Sequence, residues 1–164
     1  MSLGLYLHIP YCFSKCRYCD FYSHPGERGV PDAYVEALLR ELSRFAPEAP
    51  LQPDTLYFGG GTPSLLRPEQ AKRLIDAARP MPGAEITLEA NPETVTEESL
   101  AGFREAGVNR ISFGVQSARD TQLRTLGRPH TAKQARAAFA AARRAGFANI
   151  SGDIMLALPH YTEA

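Results

Sequence analysis

The sequence predicts an α/β protein built as a partial (β/α) barrel of about five parallel strands, and three observations predict it. Five short β-rich runs recur along the chain, helical patterns separate them, and the order strand, helix, strand repeats throughout. With right-handed crossovers that order gives a parallel sheet, barrel-like or doubly wound, and both put function at the C-terminal ends of the strands. Five strands fall short of a closed eight-strand barrel of about 250 residues. The chain stops soon after the last strand with no helix to cover it, so the expectation is a truncated barrel.

Each element has its own signal. The strands are expected at residues 5–9, 55–58, 85–90, 110–115 and 149–156, mostly as continuous apolar runs of the kind that is buried on both faces. Residues 31–45 space Tyr34, Ala37, Leu38, Leu42 and Phe45 at helical intervals, with Pro31 suited to a first turn. Residues 68–78, 97–106 and 132–145 read the same way. Thr131 with Gln134 three residues on is a capping-box pattern, and Gly107 and Gly146 stop two of the helices.

Composition narrows the class of protein. Of 164 residues, 44% are hydrophobic and 22% charged, which suits one globular domain with a substantial core. Lys plus Arg is 18 and Asp plus Glu is 18, so no net field recruits nucleic acid or an anionic membrane surface. No basic n-region leads into an apolar run and no stretch approaches the ~20 apolar residues of a membrane span, so a cytoplasmic protein is expected.

All three cysteines fall in Cys12-Phe-Ser-Lys-Cys16-Arg-Tyr-Cys19, directly after the first strand. An odd number crowded into one loop is no disulfide framework, and metal binding is the better account. A cubane [4Fe–4S] cluster usually takes four cysteines. Three would leave one iron open to an exchangeable ligand, and the amino and carboxylate groups of S-adenosylmethionine suit that position. The alternative is structural zinc, with His8 or His24 completing a Cys3His site, although zinc sites usually pair two separated knuckles. Lys15 and Arg17 make the loop polar and favour thiolates over inert buried thiols.

The Cys-x3-Cys-x2-Cys spacing, with the aromatic Tyr18 before the last cysteine, resembles the radical SAM superfamily. The run from Tyr6 through Cys12 and on to Cys19-Asp-Phe21-Tyr is similar to the oxygen-independent coproporphyrinogen III oxidase group, and most of all to its haem chaperone branch. The oxidases of that group show a further cysteine two positions beyond the third, where this chain has Phe21. The resemblance implies a TIM-type radical SAM core, with residues 1–164 its N-terminal part and the rest of the barrel and a C-terminal domain lying outside. It also implies a [4Fe–4S] cluster on Cys12, Cys16 and Cys19, bound S-adenosylmethionine, haem as cargo, a haem-acceptor protein and an electron donor. Porphyrinogen oxidation is the alternative activity.

Two further groups of residues take their expected roles from the same resemblance. Strand 55–58 runs into Gly59-Gly60-Gly61-Thr62, where backbone can approach a ligand; it lacks the Lys of a phosphate-binding loop, and a tight turn explains it equally well. In the family this segment, here Gly60, Gly61 and Thr62, meets the methionyl part of the cofactor. Glu89 with Asn91, Gln116, Arg128 and Asp153 sit at or beyond strand ends, facing a barrel mouth. Alone, each could cap a turn, bond backbone or be a solvated cation. By resemblance they match ribose, methionyl and carboxylate contacts, Arg128 as a bidentate clamp, with Tyr6 beside the cluster and Tyr18 near the adenine. His8, His24, His130 and His160 are expected to be surface or loop residues without a catalytic role.

Overall fold

A computed structural model describes residues 2–45 and 51–158; His160 lies outside them. Strands β1 (Gly4–Ile9), β4 (Thr55–Gly60), β5 (Glu85–Ala90), β6 (Arg110–Gln116) and β7 (Asn149–Ile154) form one parallel sheet in the order β1-β4-β5-β6-β7. Sequential order has no switch point, so every right-handed crossover lands on the same side. That decides for the barrel-like alternative over the doubly wound one. Helices α1 (Asp32–Phe45), α2 (Pro68–Ala78), α3 (Glu97–Ala106) and α5 (Ala132–Arg144) follow one another as a single layer.

The elements form largely where the sequence places them. Thr131 accepts from Gln134 N and Gln134 reaches back to Thr131 N at the start of α5, as the capping pattern requires. Gly107 and Gly146 follow α3 and α5. Three pieces are additional. A short helix α4 (Asp120–Leu126) precedes α5, a two-residue ladder pairs β2 (Tyr11–Cys12) with β3 (His24–Pro25), and single 3-10 turns occupy Pro63–Leu65 and Pro92–Thr94.

The expectation of strands buried on both faces is corrected. The sheet alternates: Leu7, Ile9, Leu56, Phe58, Ile86, Leu88, Ile111 and Phe113 join the core under the helices. At about 1.5–3 kcal/mol per fully buried large side chain, this layer supplies most of the fold's stability. The residues between them are polar and bond to one another on the other face. Arg110 donates to Thr87 Oγ1 and Ser151 Oγ, Ser151 bonds Ser112 at 2.9 Å, and Tyr57 donates to Glu89 at 2.8 Å. Thr, Ser and Tyr fit a pleated surface, so single polar residues at period two were absorbed into what read as continuous strand.

Candidate functional site

The sheet ends deliver polar residues to one cavity. In-register parallel pairing sets Ile9 beside Gly60, Glu89 beside Ser112 and Gly114 beside Asp153, so the C-terminal ends of all five strands lie along a shared rim. The cavity, of about 150 Å³, is lined by Cys12, Cys16 and Cys19, by Tyr18, and by Gly60, Gly61 and Thr62. Glu89, Gln116, Arg128 and Asp153 also line it, so every expected ligand residue but one meets there. The exception is Tyr6. Its ring stacks near Tyr57, 6.1 Å between centroids, and its hydroxyl lies 3.2 Å from His8 Nδ1, further down the polar face.

Short-range bonding holds the cysteine loop at both ends. The β2–β3 ladder closes it at its base, and Glu27 N donates to Cys12 O. Its far side rests on α4, where Arg17 N donates to Leu126 O at 3.0 Å. Gly127, at φ 72°, lets that approach happen, because a Cβ there would stand 3.0 Å from Arg17 Cγ. The glycine segment is equally tight. A Cβ on Gly61 would meet Tyr11 O at 2.7 Å and Cys12 Sγ at 3.0 Å, so any larger residue would push the first thiol out of place.

A hydrogen-bond chain links two of the thiols. Thr62 Oγ1 donates to Cys12 Sγ at 3.6 Å, and Asn91 Nδ2 donates to Thr62 Oγ1 at 3.2 Å. Asn91 Oδ1 accepts from Arg128 Nη2 at 2.8 Å, and Arg128 Nη1 donates to Cys16 Sγ at 3.3 Å. Arg128 also donates to the Gly114 carbonyl. It is therefore no solvated cation. Sequence reasoning grouped Asn91 with the other strand-end residues but not as the link between Arg128 and Thr62; its signal was its place at the end of β5. Ser112, also on the cavity wall, was missed, although it shares its face with Gly114 and Gln116 at period two.

Glu89 accepts from Tyr57 Oη and from Gly60 N at 3.2 Å, so it caps no following turn. Burial, then the Glu89 bond, pushes the Tyr57 phenol well above its usual range and keeps it a donor. Burial pushes Tyr18 up to about 12, with Cys16 and Cys19 adding and Arg128 opposing. Tyr6 is raised by burial and by Glu89. Gln116 takes φ 63° where the β6–β7 register shifts, a left-handed backbone uncommon outside glycine.

The histidines correct the expectation in one case. His8 is engaged at both ring nitrogens, by Tyr6 Oη and the Tyr22 carbonyl, and His24 packs between the rings of Tyr11 and Tyr22. His130, expected at the surface, is only 2% exposed.

The donor set fits an iron–sulfur cluster. Among the described residues no three His, Cys, Asp or Glu side chains sit close enough for a single metal ion. Three cysteines lining one cavity suit a cluster, with donors on Cys12 and Cys16 of the kind that tunes cluster sulfurs. Arg128 Nε is buried with no hydrogen-bond partner. An orphaned donor costs about 1–3 kcal/mol, and an acceptor on a molecule in this cavity would relieve it.

The chain is similar to known proteins over nearly its whole length. The pattern of the Radical SAM superfamily matches residues 6–164. The chain is 44% identical over 163 residues to "Heme chaperone HemW" of Escherichia coli, covering 96% of this chain and 43% of that protein. It is 39% identical over 166 residues to "Radical S-adenosyl methionine domain-containing protein 1, mitochondrial" of Bos taurus, covering 95% of this chain and 36% of that one. Among solved structures, coproporphyrinogen III oxidase (HemN) of Escherichia coli, described as a radical SAM enzyme, superposes with a TM-score of 0.87 at 31% identity. The superposition covers 98% of this chain and 38% of that protein. The chain thus spans less than half the length of these relatives.

Proposed function

The chain belongs to the radical SAM superfamily, and on that premise we propose that it carries a [4Fe–4S] cluster and S-adenosylmethionine in the service of haem chaperoning. One observation carries the reading: the three cysteines and eight further cavity residues are all but one of the positions expected to hold these groups, gathered at one sheet edge. Cys12, Cys16 and Cys19 would hold the cluster, and Gly60, Gly61, Thr62, Glu89, Gln116, Arg128 and Asp153 the S-adenosylmethionine. Tyr18 would cover the adenine. Bound there, the pair supplies one-electron reduction of the sulfonium.

The chain's own groups have defined tasks. Arg128 offers its unpartnered Nε to a carboxylate, and Gly60 and Gly61 line the same cavity. Glu89, fixed by Tyr57 and Gly60 N, presents an oriented acceptor to a ribose. Haem and its transfer to an acceptor protein, supported by an electron donor, come from the relatives named heme chaperones at about 40% identity. Residues 1–164 would form the N-terminal part of the core, and a cytoplasmic setting fits this role. Among the described residues no helix is long and apolar enough to cross a membrane.

The test is anaerobic reconstitution with iron and sulfide, followed by electron paramagnetic resonance of the reduced protein before and after S-adenosylmethionine, and by absorption titration with haem. A cubane signal that shifts on addition, with haem retained and no porphyrinogen consumed, is the expected result. One bound zinc in place of the cluster would reject the reading. Porphyrinogen turnover, with hydrogen transferred into 5′-deoxyadenosine, would replace the chaperone with the oxidase.

A further inference from the structure

The hydrogen-bond chain between Cys12 and Cys16 is itself gripped from outside the cavity. Two residues beyond Arg128, the buried His130 ring lies with Nδ1 3.2 Å from Glu93 Oε2 and Nε2 3.1 Å from the Val115 carbonyl. Glu93 stands in the 3-10 turn that begins directly after Asn91, the residue that accepts from Arg128. Val115 follows Gly114, whose carbonyl also accepts from Arg128. One ring therefore lies against all three segments that set the guanidinium, and in either tautomer it donates to one of its two acceptor partners. Burying a polar ring is costly unless it is bonded, and capping does not explain this one, because Thr131 caps α5.

We propose that His130 and Glu93 are positioning residues that hold the Arg128 guanidinium against Cys16 Sγ and thereby raise the reduction potential of the cluster carried by the three cysteines. The proposal rests on the cluster reading above. A cation bonded to a cluster sulfur stabilises the reduced form, which carries one more negative charge, and bonds to the sulfurs are a principal control of potential. Loosening Arg128 then lowers the potential.

The experiment titrates the reconstituted wild type, His130→Ala, His130→Gln, Arg128→Ala and the double variant His130→Ala/Arg128→Ala, reading midpoint potentials by electron paramagnetic resonance. A second readout needs no cluster: the ¹⁵N resonance of Arg128 Nε in the metal-free protein. The expected result is a lower potential in His130→Ala, a smaller drop in His130→Gln, which keeps one donor, and a double variant no lower than Arg128→Ala alone. The Arg128 Nε–H signal should be protected in the wild type and lost in His130→Ala. Should His130→Ala fail to fold, Glu93→Ala reads the same coupling from the other partner. An unchanged potential, or a double-variant shift equal to the sum of the single shifts, overturns the proposal. A wild type that takes up no cluster overturns only the cluster reading, and the Arg128 resonance still decides whether His130 holds it.

Discussion

The two faces of the five-stranded sheet are made from the same strands and do opposite work. Leu56, Phe58, Leu88, Ile111 and Phe113 are fully buried under the helix layer, while Tyr57, Glu89, Arg110 and Ser151 form a hydrogen-bonded polar surface one residue out of phase. Adjacent residues can therefore be changed with different consequences: one face holds the fold together and the other presents chemistry. The division is sharpest at β6, where Phe113 sits in the core between Ser112 and Gly114, both on the cavity wall.

Substitution tests that division, starting where the effect is largest. Phe113→Ala removes a fully buried ring that packs 5.0 Å from Phe139, and should cost about 3–5 kcal/mol in denaturant unfolding. Glu89→Ala, on the other face, strips Tyr57 Oη and Gly60 N of their acceptor and should cost about 1–3 kcal/mol. Its effect on S-adenosylmethionine binding by calorimetry should be far larger than its effect on folding. If binding is untouched while stability collapses, the polar face is structural and the comparison fails. Thr131→Ala, at the start of α5 in the helix layer, should cost about 1 kcal/mol and leave cofactor binding unchanged.

The smallest effect is a pH dependence. Tyr57 keeps its proton in the folded chain to higher pH than in the unfolded chain. Above about pH 10, the usual tyrosine value, the unfolded chain releases the proton first and binds fewer protons than the native one, so stability falls with pH. The contribution is complete below that value and is lost as pH climbs toward the folded one. Urea midpoints between pH 9 and 11 should fall less steeply in Tyr57→Phe than in the wild type. Equal slopes would show that neither burial nor Glu89 holds the proton on Tyr57.

Reading the sequence found the five strands and four of the helices because each repeats its signal over several residues. α4 escaped because seven residues carrying Leu123 and Leu126 give barely one repeat of a helical pattern. The gathering of the site was legible from strand ends alone, since parallel register brings every C-terminus to one edge. The links within it were not. Arg128 meets Cys16 across 112 residues and His130 meets Glu93 across 37, and such pairings depend on rotamers and loop paths with no local period. Tyr6 stands outside the cavity for a related reason: Gly59 beside it leaves room for its ring to lie toward Tyr57.

Gln116 carries a consequence of another kind. Its left-handed backbone costs about 1–2 kcal/mol that a glycine would avoid, so Gln116→Gly should make the protein more heat-resistant. A lineage bred only for durability would drift to glycine there. Descendants that keep the glutamine are still being selected for what its side chain reaches, so position 116 can serve as a record of whether a relative has gone on using its cavity.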